Sequence, residues 1–378
     1  MKRVEWANAM RGVAAVTVVV AHFLGVFWLN RPAAAALARH QQLPASISSP
    51  WIVRVIESAP VDLAACGVAL FFLLSGYVIA LSINRYSRRG FILGRCMRIV
   101  PTYAVGYGVT CFVSWIASRG STGPDRVTIS RVAYGSIPGL AAVIKQPIVD
   151  DGVVWTLIIE VAFYVICLVA YRSLTTRWPA VLLVGMCCLV VQQTLQSPAI
   201  SRNVPSSLSG FVQVVGLVCP FLPIMLIGVV LASIGRGAMR RGAAFLVPAL
   251  ALLYWWMAST TEAVPTSLKY RFSFVLCALI FVAIWRTAGG WRSVKVIDLF
   301  ADVSYPLYVV HGVLGYALMF WLLDRGVSWP LAVAATTVSV FVVAWLLHCA
   351  VERPAQRLGR SWARRGRSEL PTDSALAQ

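Results

Sequence analysis

The chain has 378 residues, of which 59% are hydrophobic and only 12% are charged. This balance lies far outside the range of soluble globular proteins and leaves no room for a sizeable soluble domain, so we predict an all-α polytopic membrane protein with about ten transmembrane helices. The net charge of +19 does not indicate nucleic-acid binding. Most basic residues fall on one side of the predicted spans, which is the positive-inside pattern and predicts that both termini are cytosolic.

The first predicted span, residues 9–29, contains Arg11 and His22. A helix makes a turn every ~3.6 residues, so both side chains point from one face. An ionisable group in lipid costs roughly 2.5–3.5 kcal/mol, so this face should look into the protein interior or a wet cavity. Taken alone, Arg11 is equally well explained as a topology anchor and His22 as a helix–helix hydrogen bond. A cleaved signal peptide is disfavoured, because the run is long and many spans follow.

The second predicted span, residues 62–83, contains Gly67 and Gly76. Small residues at these positions allow neighbouring helices to approach closely. Ser75 lies in the same span, and a bond back to its own helix is enough to explain it. This segment therefore predicts a membrane helix and no particular chemistry.

A basic cytosolic segment follows, in which Arg95 and Arg98 are three residues apart and so share a helical face. Pro101 then marks the entry to the third predicted span. A basic stop-transfer loop is enough to explain the other arginines of this segment. It explains Arg95 and Arg98 less well, because they flank apolar residues at the membrane boundary. Two guanidinium groups on one face suit a polyanion such as a phosphate, because arginine offers bidentate, permanently charged donors.

The fourth predicted span opens at Trp155 and contains Thr156, Glu160 and Tyr164 at steps of four, so these three share a face. Glu160 lies in an apolar run and must be partnered or protonated. A structural hydrogen bond between helices is one interpretation. The other is that Glu160 lines the same cavity as His22.

Four further spans have the character of scaffold, at about residues 179–195, 211–234, 245–257 and 270–285. Pro220 and Pro223 predict a kink in the second of these. The long loop before the fourth span, residues 118–152, contains Asp150 and Asp151, and its length suggests that it covers a site. We expect a membrane domain over residues 1–355 and a basic, disordered cytosolic tail over 356–378.

The ninth predicted span opens at Asp298, and Ser304, Tyr308 and His311 form one stripe along it. His311 is a second intramembrane histidine, which weakens the view that His22 is an isolated structural residue. No GxSxG elbow, glycine-rich phosphate loop or HExxH motif occurs, so any chemistry must come from residues on different spans. The nine cysteines lack metal-ligand spacing, and we expect free thiols, no metal and no tightly bound cofactor.

Taken together, these segments resemble the integral-membrane acyltransferase family called acyltransferase type three, whose members acylate sugars, polysaccharides, lipopolysaccharide, Nod factors and some macrolides. The matching features are Arg11-Gly12 with ten residues before His22, GVALFFLLSGYVI (67–79), Arg95-x-x-Arg98 with Pro101 and Tyr103, WTLIIEVAFY (155–164), SYPLYVVH (304–311) and Glu352-Arg353-Pro354. Each is weak alone, but their order and spacing extend over nearly the whole chain.

The resemblance implies an O-acyltransferase that moves an acyl group, acetyl in the commonest case, from acyl-CoA to a hydroxyl of a cell-surface or exported glycan. It implies a multi-pass protein of the bacterial inner membrane. The roles that it implies are catalysis by His22 and donor binding by Arg95 and Arg98. From the residues themselves we expect Arg11 and Glu160 to take part in catalysis, and Trp155, Thr156, Tyr305 and His311 to bind substrate. The alternatives are acylation of a small secreted metabolite and, with less support, a secondary transporter, which often shows internal repeats that are absent here.

One position departs from the family pattern. Many members carry an acidic residue three positions before the motif arginine, where this chain has Asn8. The carboxylate partner of Arg11 would then come from elsewhere, such as Glu5. The mechanism that we favour uses His22 as general base, because its ordinary pKa is ~6.5. Direct transfer is simpler than an acyl-enzyme, because no activated serine or cysteine is visible.

Overall fold

The computed structural model describes residues 5–44, 46–83, 86–118, 127–146, 150–197, 200, 203–260, 267–287 and 294–365. Within these ranges the chain forms helices and connecting loops, with no strand. In chain order the helices are α1 Glu5–Leu29, α2 Arg31–Ala38, α3 Trp51–Ser58, α4 Leu63–Ile83, α5 Arg88–Ala117, α6 Ile129–Gly135, α7 Leu140–Ile144, α8 Val154–Ala170, α9 Ser173–Thr176, α10 Trp178–Gln196, α11 Ser209–Gly235, α12 Arg241–Ser259, α13 Leu268–Thr287, α14 Lys295–Asp324, α15 Trp329–Leu347 and α16 Arg353–Arg365.

Nine helical segments in the described part of the chain are long and apolar enough to cross a bilayer. Helix α8 is also apolar and spans 17 residues, which is about 25 Å at 1.5 Å per residue. The prediction of a polytopic all-α membrane protein with about ten spans is therefore confirmed. Helices α5 and α14 have 30 residues each. At about 45 Å they exceed the hydrocarbon thickness of ~30 Å and extend beyond it.

Helix α5 begins earlier than the third predicted span. Its first turn is capped by Ser87, whose side chain accepts a hydrogen bond from the Gly90 N–H at 3.2 Å. A serine in this position satisfies one of the unpaired donors of a helix start. The helix then continues through Pro101, so Arg95 and Arg98 lie on the helix itself and not in a loop before it.

The bundle is held together where α4 contacts α1, α11, α13 and α8. The predicted close approaches at two glycines of α4 are confirmed. A Cβ atom on Gly67 would lie 2.5 Å from a methyl group of Val18. On the opposite face, a Cβ on Gly76 would lie 1.9 Å from the carbonyl oxygen of Met225, and one on Gly228 would lie 2.2 Å from that of Leu73.

We expect Gly76→Ala to prevent the close packing of α4 on α11. The added methyl group meets backbone, which cannot rotate away, so we expect a loss of stability of at least about 2 kcal/mol. The measurement is the thermal unfolding midpoint of the detergent-purified protein.

Gly108→Ala on α5 is the matched control, because a Cβ there has no atom within 4 Å. It should leave the midpoint unchanged or slightly raised, since alanine favours a helix. Equal midpoints for the two variants would contradict the close contact.

Two π-helical turns interrupt the described helices, and each begins at a histidine. One is His22–Val26 within α1, and the other is His348–Glu352 between α15 and α16. In the second, Nδ1 of His348 lies 2.6 Å from the buried carboxylate of Glu352. Such turns often occur at functional sites. In α11, a 3₁₀ turn over Cys219–Phe221 interrupts the helix, as the prolines there predict.

The expected boundary after residue 355 falls inside α16. The helix runs to Arg365, so residues 356–365 of the expected tail are helical. It is ordered because Ala355, Gly359 and Ala363 form a buried stripe of small residues that packs on α5. Residues 366–378 lie outside the described residues.

Candidate active site

A cavity of about 220 Å³ lies between α1, α4, α5, α8 and α14. A single water needs only about 10–15 Å³ by this measure, so the cavity can hold an organic ligand. It follows α4 from Leu81 to Val68, a distance of about 20 Å along the helix axis. Its polar lining residues are Asn8, Arg11, Ser75, Tyr77, Arg95, Arg98, Thr156, Glu160, Tyr164, Ser304, Tyr305 and Tyr308.

Three arginines from two helices line one end of this cavity. The Nε group of Arg11 donates to Ser304 Oγ at 2.9 Å and to the Ala301 carbonyl oxygen at 3.0 Å. Arg95 donates to Ser82 Oγ at 2.7 Å and stacks over the Tyr164 ring. The prediction that Arg95 and Arg98 share a face is confirmed.

Arg98 differs from the other two arginines. Its guanidinium lies within electrostatic range of Glu160 and Glu352. It donates no hydrogen bond to any residue that the structure describes. Its donors are therefore available to a ligand in the cavity.

Glu160 also faces the cavity, and its carboxylate has two partners. It accepts hydrogen bonds from Ser75 Oγ at 3.1 Å and from the hydroxyl of Tyr164. This confirms that Thr156, Glu160 and Tyr164 share a face, since all three line the cavity. The explanation of Ser75 as a residue that bonds to its own helix is wrong, because it bridges α4 to α8.

A pair of hydroxyls lines the inner end of the cavity, the end near Val68. Thr156 Oγ1 lies 2.7 Å from the Tyr308 hydroxyl and 3.0 Å from the carbonyl oxygen of Val153. A carbonyl only accepts, so the threonine proton goes to Val153, and the Tyr308 hydroxyl donates to Thr156. Tyr305, another cavity residue, donates to the Ile99 carbonyl oxygen at 2.9 Å.

The two intramembrane histidines lie together just beyond this end. The ring centroids of His22 and His311 are 4.5 Å apart. Nδ1 of His22 lies 2.7 Å from the hydroxyl of Tyr316. Nδ1 of His311 lies 2.7 Å from the carbonyl oxygen of Tyr308, so this nitrogen carries the proton. Nε2 of His311 is buried and bonds to no described residue.

The structure divides the predicted site residues into two groups. One group, which includes Arg11 and Glu160, lines the cavity, and the other is the pair His22 and His311, which does not line it. Arg11 and His22 both contact α14, as their shared face predicts. Tyr308 stands between the groups, because its side chain lines the cavity while its carbonyl holds His311.

Trp155 belongs to neither group. Its ring lies 6.5 Å from that of Phe72 and 5.6 Å from that of Phe221, measured between centroids. This places Trp155 in an aromatic cluster behind the cavity wall, where it supports the wall rather than lining the cavity.

Asp151 is a buried carboxylate that sequence analysis assigned only to a covering loop. It is 1% exposed, accepts a hydrogen bond from the Tyr103 hydroxyl at 2.9 Å, and accepts the backbone N–H groups of Val153 and Val154. Burial raises the pKa of this carboxyl. Through these bonds Asp151 ties the start of α8 to Tyr103 of α5.

Two further contacts were not evident from the sequence. Tyr316 is the hydroxyl partner of His22, and no spacing on α14 marks it as such. The amide of Asn8 donates to Asp298 of α14 at 2.5 Å. Asn8, which replaces the acid common in the family pattern, is thus bound to a carboxylate from another helix.

A comparison with known proteins decides the family. The model of an acyltransferase domain, Acyl_transf_3, matches residues 4–349. The chain belongs to the acyltransferase type three family. It is similar to the acyltransferase MdmB of Streptomyces mycarofaciens, with 27% identity over 335 residues that cover 78% of this chain and 82% of MdmB. No solved structure matches the chain.

Membership of the acyltransferase type three family confirms the resemblance that the sequence motifs indicated. This chain is a multi-pass membrane acyltransferase. Its cavity and histidine pair are therefore the parts of the molecule in which to look for a donor site and a reaction centre.

Proposed function

We propose that this protein transfers a short acyl group, typically acetyl, from acyl-CoA to a hydroxyl of a cell-surface or exported glycan. The observation that carries the proposal is the position of Tyr308. Its side chain lines the end of a cavity that has arginines at the other end, and its backbone holds a histidine that contacts His22. In this proposal the donor site and the basic site adjoin at Tyr308.

The arginine end of the cavity suits the phosphates of acyl-CoA. Arg95 and Arg98 project from one face of α5, and Arg98 has donors that bond to no described residue. Arginine binds phosphate bidentately and stays charged at any physiological pH. The pantetheine arm would then run along the cavity toward Tyr308.

His22 is the proposed general base. If Nδ1–H donates to the Tyr316 oxygen, the Nε2 lone pair is free to accept a proton. The acceptor hydroxyl loses its proton to His22 as its oxygen attacks the thioester carbon. The carbon–sulfur bond then breaks, and CoA leaves as a thiol after taking that proton. The products are the ester and free CoA.

The remaining predicted residues have supporting roles in this proposal. Arg11 and Glu160 line the cavity and orient the donor, with Glu160 as a countercharge to Arg98. Thr156 and Tyr305 contribute to the cavity wall beside the acyl group. His311 fills the space next to His22, where it can bind the acceptor or share its proton.

We further propose that donor and acceptor arrive from opposite sides of the bacterial inner membrane. Arg11 and His22 are about 16 Å apart along α1, if its rise per residue is that of an α-helix. The excess of basic residues on the side where α5 begins supports the assignment of that side to the cytosol. The donor would then enter from the cytosol, and the acceptor from the other side.

The test is reconstitution into vesicles with one fixed orientation, with labelled acetyl-CoA either inside or outside and glycan acceptor on both sides. We expect labelled ester only when the donor is on the α5 start side. Labelled ester on a small hydroxylated metabolite but on no glycan would replace the proposed acceptor. Equal product from both sides would contradict opposite entry.

A further inference from the structure

The inner end of the cavity differs in character from the arginine end. Its lining residues are Val68, Phe71, Phe72, Thr156, Leu157 and Tyr308. Apart from the two hydroxyls, which bond to each other, these side chains offer only apolar surface. Such a wall favours a hydrocarbon group over a charged or hydrated one.

Two side chains of this apolar end, Tyr308 and Thr156, are held by contacts, and we call this pair the Tyr308–Thr156 floor. The Tyr308 hydroxyl bonds to Thr156 at 2.7 Å, and Thr156 is itself bonded to Val153. The Phe71 ring meets the Tyr308 ring edge-on, with centroids 5.8 Å apart. The ring of His311 lies on another side, with its centroid 5.6 Å from that of Tyr308. The Tyr308 side chain is therefore held by its hydroxyl and by two neighbouring rings, and it cannot swing aside without breaking these contacts.

We propose that this inner end is the acyl-chain subsite, and that the Tyr308–Thr156 floor limits the donor to short acyl groups. The inference rests on the proposed function, because it assumes that the CoA phosphates lie at the arginine end. A chain entering from that end has about 20 Å of cavity before it reaches the floor. Once the thioester is near Tyr308, added methylenes have no space except that of the Tyr308 and Phe71 rings.

The expected discrimination follows from packing. A methylene that fits gains about 0.8 kcal/mol from burial, whereas one that meets a fixed ring must displace it. Pockets of this kind discriminate one methylene by roughly 10–200-fold in kcat/KM. The unmodified protein should therefore use acetyl-CoA far better than hexanoyl-CoA.

The test is Tyr308→Ala in the full-length protein in lipid nanodiscs, with acetyl-, butyryl- and hexanoyl-CoA as donors. Removal of the ring should raise the ratio of kcat/KM for hexanoyl-CoA to that for acetyl-CoA by about tenfold or more. Phe71→Ala should move the ratio in the same direction. The shift in this ratio should be the same whichever acceptor is used.

Two matched variants separate the effect of the size of the Tyr308 ring from the effects of its hydroxyl and of cavity volume elsewhere. Tyr308→Phe keeps the ring but loses the hydroxyl, and it should retain much of the preference for acetyl. Val78→Ala enlarges the same cavity near its arginine end and should leave the chain-length ratio unchanged. A rise in the ratio for Val78→Ala equal to that for Tyr308→Ala would overturn the assignment of the subsite.

If Tyr308→Ala transfers too slowly to measure, displacement of labelled acetyl-CoA by longer acyl-CoAs gives the same comparison without turnover. An unchanged order of displacement in this variant would overturn the inference. The two proposals fail differently. If the unmodified protein neither binds any acyl-CoA nor transfers its acyl group, the proposed donor is rejected. If acetyl transfer is normal but Tyr308→Ala does not change the chain-length ratio, only the subsite is rejected.

Discussion

Replacing His22 by alanine is expected to lower the rate of acyl transfer by about 10²–10⁴-fold, the usual contribution of a general base. His22 has a hydroxyl partner for Nδ1 and a second histidine against its ring. This arrangement can hold one tautomer and one ring orientation. The alanine variant keeps the helix, so it should be inserted normally. The measurement is ester formation by the purified protein, together with the ester content of the cell-surface glycan.

His40→Ala is the control for the loss of a histidine. Nε2 of His40 lies 3.1 Å from a carboxylate oxygen of Asp324, and its ring stacks on that of Phe320. His40 does not line the cavity and is not part of the contact between the two intramembrane histidines. It should keep most of the activity. Tyr316→Phe should cause a smaller loss than His22→Ala and should alter the pH profile, because the tautomer of His22 is no longer fixed. Full activity of an inserted His22→Ala protein would exclude His22 as the base.

Replacing Arg98 by alanine is expected to raise the KM for acyl-CoA by about tenfold or more. A hydrogen bond to a charged group contributes about 1.5–3 kcal/mol, and 1.4 kcal/mol corresponds to a factor of ten. Arg98 has donors that no described residue uses, so the ligand is their expected acceptor. The value of kcat should change much less, because the phosphates lie far from the bond that breaks. Steady-state kinetics with varied acetyl-CoA measures both constants.

Arg89→Ala is the matched control for Arg98→Ala. Arg89 is on the same helix but is exposed and does not line the cavity. Arg98→Lys should recover only part of the affinity, because an ammonium group cannot bind a phosphate in the bidentate manner. If Arg98→Ala and Arg89→Ala raise KM equally, the cause is general charge, and the specific role of Arg98 is rejected.

Local sequence patterns predicted much of the fold and the faces of single helices. Hydropathy predicted the spans, because an apolar run of suitable length has few alternatives in a bilayer. Helical spacing placed Arg95 beside Arg98, and Thr156 beside Glu160. The spacing rule depends only on neighbours in the chain, so it needs no knowledge of the rest of the fold.

The motifs in their order indicated the acyltransferase family, which the family model then confirmed. Pro101 predicts a later entry to the third span than the structure has, because Ser87 caps α5 and the helix begins at Arg88. A proline can mark a helix boundary, but the capping serine determines where this helix begins.

The sequence by itself determined the class of this protein, its approximate spans and which side chains share a helical face. Only the tertiary structure decided what each face meets: His22 meets Tyr316 and His311, Ser75 meets Glu160, and Trp155 packs into an aromatic cluster behind the cavity wall. The physical reason is that helical periodicity specifies a direction from one axis but not the neighbour or its register. Those depend on close contacts between distant segments, such as Gly76 against Met225, which no local pattern encodes.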